Sequence, residues 1–456
     1  MVSKTLESGV AESSAAAEAP RDAHRPADRA GLLIVFLVVF VDLLGFGMVL
    51  PLVPVYAEHL LEGYSPIAAN AVLGLLMTCF SLMQFLFSPY WGKLSDRFGR
   101  RPILLLGLTG SAVCYGLFGL ACYYGSLTGM FLSRIGAGIT GATIGTAQAY
   151  IADVTPQARR ARGMALIGAA FGLGFTFGPL LGAGTLILSD AKSAALSPWP
   201  GLAAAGFSAV ALLLAFRWLR ESLPAALRRR SLQAPAAEGL PRDAAGEGGF
   251  FRILDGQVWR ETARQPTVIM LLLTTFIAVF ALSGFEATLS VTLAALLGVE
   301  RGGAPLLLVF SMIGVIQTIV QGFVVRPLAS RWSEGRLSAV GLLTAIGGFV
   351  FMALAADGPW ANAALLIGAA GIVAAGMAFV VPAVQGLLSR HTAEDHQGRV
   401  FGLANSLSAV ARIIGVLAAF QLRGLAPSLP FWSAVGLLIA AGAVLRQAVL
   451  RPRPLA

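Results

Sequence analysis

The chain has 456 residues, of which 57% are hydrophobic and 12% charged, with a mean hydropathy of +0.77. No soluble domain of this size carries so much apolar surface, so a soluble enzyme or a water-exposed binding module is excluded. The net charge of +10 invites a nucleic-acid reading. Most of the Lys and Arg, however, fall in the N-terminal tail and in loops that alternate onto one side, with only Lys192, Arg301 and Arg423 on the other, which is the positive-inside asymmetry of a membrane protein.

Residues 1–30 are polar and rich in Ala, Ser and Glu, and predict a disordered cytoplasmic tail. The first apolar run is too long for the core of a cleavable signal peptide. Apolar runs then follow at about 31–57, 68–91, 102–124, 127–151, 163–189 and 200–219, and again at about 267–293, 304–326, 338–356, 361–385, 398–421 and 427–449. Each is long enough to cross about 30 Å of hydrocarbon as a helix. The runs do not alternate, so a β-barrel is excluded. An even number of spans places both termini in the cytoplasm.

The one long break, residues 220–266, holds Arg228-Arg229-Arg230 and several Pro and Gly. It predicts a cytoplasmic linker between a six-helix half at 31–219 and another at 267–450, with a short tail at 451–456. Phe250 to Trp259 has the makings of a short amphipathic helix on the inner leaflet.

Between the second and third runs stands Gly92-Lys93-Leu94-Ser95-Asp96-Arg97-Phe98-Gly99-Arg100-Arg101-Pro102. Four cations put it on the cytoplasmic side. The order of Gly92, Asp96, Arg97, Gly99, Arg100 and Arg101 exceeds what a topology signal needs. It predicts a tight loop in which the glycines permit a sharp turn and close helix approach. Arg326-Pro327-Leu328-Ala329-Ser330-Arg331-Trp332-Ser333 occupies the corresponding place in the second half, with Ser330 where the first copy has Asp96. Six-span repeats with a site between them at mid-membrane are a transporter design.

Ionisable residues inside spans are costly and are functional candidates by default. Asp42 and Arg134 come to similar depth at about 1.5 Å per residue, and Arg412 joins that layer. Two readings of Asp42 and Arg134 stand: a static ion pair between the first and fourth helices, or a proton-coupling pair whose carboxylate titrates beside a cation. Glu286, in Gly284-Phe285-Glu286-Ala287-Thr288, is an interfacial residue or a second proton or substrate group. Arg412 faces a water-filled cavity or attracts an anionic substrate. Gln84, Gln317 and Gln321 bond across helices or line a cavity. In the fifth run, Gly174, Gly178 and Gly182 recur every four residues and predict one close-packing helix face. Pro179 adds a bend. Cys79, Cys114 and Cys122 lie in apolar runs without metal spacing and read as buried thiols. The four His fall in the tail or loops, so no metal site is expected.

These residues resemble the major facilitator superfamily. Gly92–Pro102 is similar to its signature between helices 2 and 3, and Leu132-Ser133-Arg134-Ile135-Gly136 to its fourth-helix motif. Gly174-x-x-x-Gly178-Pro179-x-x-Gly182 resembles the antiporter motif of helix 5. Asp42-Leu43-Leu44-Gly45-Phe46-Gly47 resembles helix 1 of the twelve-span drug:proton antiporters, and the chain looks most like their tetracycline-efflux group. Tyr150–Thr155 and Pro382–Arg390 are similar to that group's segments after helices 4 and 10. Run 11 departs from it, with Ile413-Ile414-Gly415 where the group tends to have Gly-Pro.

The resemblance implies an all-α membrane protein of twelve helices in two six-helix pseudo-repeats. It further implies an exporter of small amphipathic organic molecules in exchange for protons, by alternating access. Asp42, Arg134 and Glu286 are then the proton-coupling groups, and Gln84, Gln317 and Arg412 line the substrate cavity. Asp96 latches onto the start of the eleventh helix at Arg399. No nucleotide-binding motif is present, so the proton motive force rather than ATP is the expected energy source, with no cofactor. The expected partners are a small molecule, protons and the lipid bilayer, with no nucleic acid. A monomer in the cell (inner) membrane is expected. The alternative is a proton-coupled importer or facilitator of a polar or anionic metabolite, with Arg134 and Arg412 on the substrate.

Overall fold

The computed structural model describes residues 29–155, 160–189, 196–223, 262, 265–298, 303–392 and 397–450. The N-terminal tail, the C-terminal tail and most of the expected linker, including Arg228 to Arg230 and Phe250 to Trp259, lie outside them. Every element among the described residues is helical, because a backbone in hydrocarbon satisfies its own N–H and C=O groups that way.

The helices follow the apolar runs. α1 covers Arg29–Val49 and resumes after Pro51 as Leu52–Leu60, since proline has no N–H to give the ladder. Then come α2 (Pro66–Phe98), α3 (Arg100–Tyr123), α4 in two pieces (Leu127–Thr140 and Ile144–Val154), α5 (Arg160–Leu188) and α6 (Trp199–Trp218). The second half contains α7 (Pro266–Leu297), α8 (Ala304–Ile319, continued through Val320–Val325 to Arg326–Leu328), α9 (Glu334–Ala356), α10 (Ala363–Arg390), α11 (Gln397–Leu425) and α12 (Leu429–Leu450). Side-chain caps set several starts. Ser65 accepts from the Ala68 N–H at 3.3 Å, and Asn362 from Ala364 and Leu365 at 2.8 and 3.2 Å.

Three local features differ from the sequence expectations. First, α2 continues to Phe98, so Gly92 to Phe98 is helix rather than loop, and Gly99 alone makes the turn with φ +109°. Gly92 has open space where a Cβ would stand, so it serves no close approach. Second, eleven helices among the described residues are long and apolar enough to cross a membrane. The twelfth crossing is α4, divided at Gly141 to Thr143. Glycines and β-branched threonines on both sides of that turn lower helix propensity. Third, α8 carries a π-helical segment, Val320–Val325; such segments often mark functional places.

The halves meet along α2 with α11 and α5 with α8. The contacts that join them lie toward the face remote from the Gly92–Pro102 motif. Arg423 at the end of α11 binds Glu58 at 2.8 Å and Asn70 at 3.2 Å, Gly74 packs on Leu417, and Ser311 of α8 donates to the Thr176 carbonyl of α5 at 3.0 Å. All three cysteines are free thiols; Cys114 and Cys122 are buried and Cys79 is half-buried.

Candidate functional site

Asp42 sits on α1 against α3 and the break in α4. Ser111 Oγ donates to Asp42 Oδ1 at 2.7 Å, and the Tyr115 hydroxyl donates to the Asp42 backbone carbonyl at 3.3 Å. Gly45 makes room for the Tyr115 ring: a Cβ there would lie 2.6 Å from Cε2. The other carboxylate oxygen, Oδ2, faces Gly141, 3.7 Å from where its Cβ would be. The turn at Gly141 frees carbonyls from the helical ladder, and α2 takes them up. Gln84 Nε2 donates to the Gly141 carbonyl at 3.1 Å and Trp91 Nε1 to that of Ile139 at 2.6 Å. Gln84 therefore holds the α4 turn, and it is not among the residues that line the cavity described below.

Arg134, on the first piece of α4, is 1% exposed. Its guanidinium lies over Phe80 at 4.6 Å and over Phe46 at 5.6 Å. Among the described residues, none of its three nitrogens has a hydrogen-bond partner. The expected contact with Asp42 is not made: no ion pair joins them within 4.0 Å. Asp42 turns instead to Ser111, and the Phe80 edge stands 3.8 Å from the same point beside Gly141 that Oδ2 approaches. A desolvated cation–π contact returns about 2 kcal/mol, against a penalty of several kcal/mol for burying an ion. Arg134 thus holds a strong, unused capacity to pair with an anion.

Glu286 and Gln317 come together, on α7 and α8, in the wall of a cavity between the halves. Phe175 and Pro179 of α5, Phe285 and Phe310 complete much of that wall. The cavity has about 30 Å³ of free space, room for about two waters at roughly 10–15 Å³ each. Asp42 and Arg134 are not part of it. Arg412 is half-buried on α11, with no hydrogen bond or ion pair among the described residues, and it is not among the residues that line this cavity. The glycine stripe behaves as its spacing predicts. Cβ atoms at Gly174 and Gly178 would lie 2.6 Å from Leu43 Cβ and 2.6 Å from the Leu44 carbonyl, and Gly47 on α1 meets Pro179. α5 therefore clamps α1 one turn beyond Asp42, and it continues as helix through Pro179.

At the motif, Asp96 pairs with Arg100 of its own half. Arg100 also binds Asp153 at the end of α4, at 3.2 Å, and Ser222 donates to Asp153 at 2.9 Å. Glu221, just past α6, accepts the backbone N–H groups of Arg100 and Arg101 at 2.8 and 3.1 Å. Its carboxylate fills the space that Gly99 leaves, where the start of α3 favours an anion. Arg101 stacks on Phe216 and donates to its carbonyl at 2.8 Å, and Arg97 lies over Phe98. The Arg399 side chain lies outside the described residues, and so does the expected latch to Asp96.

The second half repeats the Arg100–Asp153 bridge with its charges reversed: Glu334 at the start of α9 binds Arg390 at the end of α10 at 2.5 Å. Sequence reasoning missed Ser111, Tyr115 and Glu221, and met Asp153 only as part of the Tyr150–Thr155 segment. The hydroxyls of Ser111 and Tyr115, four apart in an apolar run, were the signal available for the first two. Glu221 was hidden by its place in the charged stretch after α6.

Comparison with known proteins agrees with this architecture. The Major Facilitator Superfamily model matches residues 35–416. The class C tetracycline resistance protein of Escherichia coli is 32% identical over 389 residues, covering 85% of this chain and 88% of that protein. The crystal structure of the human organic anion transporter MFSD10 superposes with a TM-score of 0.59 at 27% identity, over 92% of this chain and 100% of the other. An inward-facing bacterial homologue of the lysosomal transporter Spinster shares the fold, with a TM-score of 0.64 at 18% identity over 93% and 97% of the two chains. With the signature helices, the two six-helix halves and a family match over most of its length, the chain belongs to the major facilitator superfamily, a multi-pass membrane transporter of small molecules and not an enzyme.

Proposed function

We propose that this transporter exports small amphipathic organic molecules in exchange for protons, by alternating access of a site between its two halves. The observation that carries the reading is a carboxylate in the middle of α1, Asp42, near a buried and hydrogen-bond-free Arg134. In one state Asp42 accepts from Ser111, as seen here. In the other it meets Arg134. A proton arriving on Asp42 weakens its attraction to the guanidinium and favours the first arrangement; its loss favours the second. Glu286 and Gln317, with Phe175, Phe285 and Phe310, offer a drug one acid, one amide and three aromatic faces. The relationship to tetracycline resistance proteins supports export.

In this reading the motif face and both termini are cytoplasmic, the membrane is the cell (inner) membrane, the energy source is the proton motive force with no bound cofactor, and the monomer is the working unit. The test is a drug-efflux screen in an efflux-deficient host, with and without a protonophore. Export that a protonophore abolishes is expected; export that it leaves unchanged refutes proton exchange.

A second reading has one specific observation behind it. The partnerless Arg134 and the half-buried Arg412 suit an anionic substrate, and a 27%-identical structure is described as an organic anion transporter. Uptake of organic anions into proteoliposomes, with no export of amphipathic drugs from cells, would select it.

A further inference from the structure

The two groups that proton exchange must bring together do not meet here, and Arg134 is packed against aromatic rings. Phe46 on α1 and Phe80 on α2 pack with centroids 4.9 Å apart and a 40° tilt. Phe46 in turn meets Phe175 edge to face, at 5.8 Å and 79°. Phe175 lines the central cavity, whereas Arg134 is not among the residues that line it and lies over Phe80 and Phe46. Phe175 and Leu50, which line the cavity, both pack against the cluster that holds Phe46 and Phe80, so the contacts leading from the cavity to Arg134 run through that cluster. On the Asp42 side, the Phe80 edge and Asp42 Oδ2 approach one point beside Gly141. Phe46, Phe80 and Cys114 are 9%, 7% and 8% exposed and form one apolar cluster with Ala137.

We infer that Phe46 and Phe80 are positioning residues that form a septum between the substrate cavity and the coupling site. The physical case has two parts. A guanidinium has five N–H donors; Arg134 is 1% exposed, so cavity water does not reach them, and among the described residues its nitrogens have no hydrogen-bond partner. The rings that close it present π faces that stabilise the cation without using any of its donors. The full hydrogen-bonding capacity of Arg134 is therefore kept for a carboxylate that arrives when the rings move aside. Glu286 and its substrate stay on one side of Phe46, and Arg134 on the other. Substrate and proton then act on separate sites, linked through ring packing, and do not compete for one group. This inference rests on the proposed proton exchange.

The experiment uses the full-length protein with Cys79→Ser and Cys122→Ser, leaving Cys114 as a thiol within the septum cluster. Maleimide labelling of Cys114 in native membranes is followed in wild-type and Phe46→Ala backgrounds. In proteoliposomes, the decay of an imposed pH gradient without any drug is read with a pH-sensitive dye.

Phe46→Ala is expected to speed Cys114 labelling about tenfold, as a local opening does, and to let the pH gradient collapse without substrate. Phe46→Leu, which keeps apolar bulk, is expected to keep Cys114 protected and the gradient intact. If Phe46→Ala does not accumulate, Phe46→Val is expected to give the same two changes at smaller size. Cys114 labelling that stays at the wild-type rate overturns the septum, and so does faster labelling with an intact gradient. Failure of proton exchange itself is seen separately, as absence of drug-driven proton movement in the wild-type protein.

Discussion

Replacing Gly178 by alanine tests how the clamp between α5 and α1 supports the site. An alanine Cβ there would lie 2.6 Å from the Leu44 carbonyl and 2.9 Å from the Gly47 Cα, both backbone atoms that no rotamer can move. Ordinary contact begins near 3.4 Å, so α1 and α5 must part by roughly 0.8 Å, and close-packed interiors transmit such a shift. Overpacking of this kind costs about 1–3 kcal/mol. A shift of that size along the Ser111–Asp42 direction stretches their 2.7 Å hydrogen bond to about 3.5 Å, beyond a good O–H···O contact. Thermal unfolding of the purified protein and proton-coupled drug flux are expected to fall together. Gly184→Ala supplies the control, because nothing lies within 4 Å of a Cβ at Gly184, and it is expected to match the wild type in both assays. Gly178→Ala indistinguishable from Gly184→Ala would refute the reasoning.

Other changes follow from the same geometry. Glu221→Ala removes the anion that receives the first two backbone N–H groups of α3; thermal unfolding should show a loss of about 0.5–2 kcal/mol, with drug affinity unchanged. Gln84→Leu leaves the Gly141 carbonyl without its α2 donor, which should cost about 1–3 kcal/mol of stability and slow proton-coupled flux, both measurable on one reconstituted preparation. Reversing the Glu334–Arg390 bridge with the double change Glu334→Arg and Arg390→Glu should restore the thermal stability that either single change lowers. The coupling read from that double-mutant cycle is expected at about 0.2–1 kcal/mol, since the Arg390 side is exposed.

Much of the fold was legible because bilayer thickness sets helix length. The third run, expected at 102–124, is the helix Arg100–Tyr123, and the sixth, at 200–219, is Trp199–Trp218. The motif was misread as a loop because its charges mark the edge of the hydrocarbon, whereas α2 runs on beyond that edge to Gly99. The break in α4 left no trace in hydropathy, which does not register whether a carbonyl keeps its helical partner.

The same limit applies to the site. Counting residues along a helix placed Asp42 and Arg134 at one depth but said nothing of azimuth, so it could not show that Asp42 turns to Ser111 and Arg134 to Phe80. Glu286 and Gln317 came together as polar groups in apolar helices facing the partner half, while Gln84, of the same type, was drawn away by the carbonyl that the α4 turn released. The four-residue glycine spacing was the most informative local pattern, because its consequence, backbone against backbone, needs no knowledge of neighbouring side chains.

The most direct test of the central claim is drug-driven proton movement in proteoliposomes containing either the wild-type protein or Asp42→Asn. Asparagine keeps the size of the side chain and can accept from Ser111, but it carries no exchangeable charge for Arg134. The account predicts proton movement on drug addition for the wild type and none for Asp42→Asn, with both proteins equally stable and binding the drug. Proton movement of equal size in the two would contradict it.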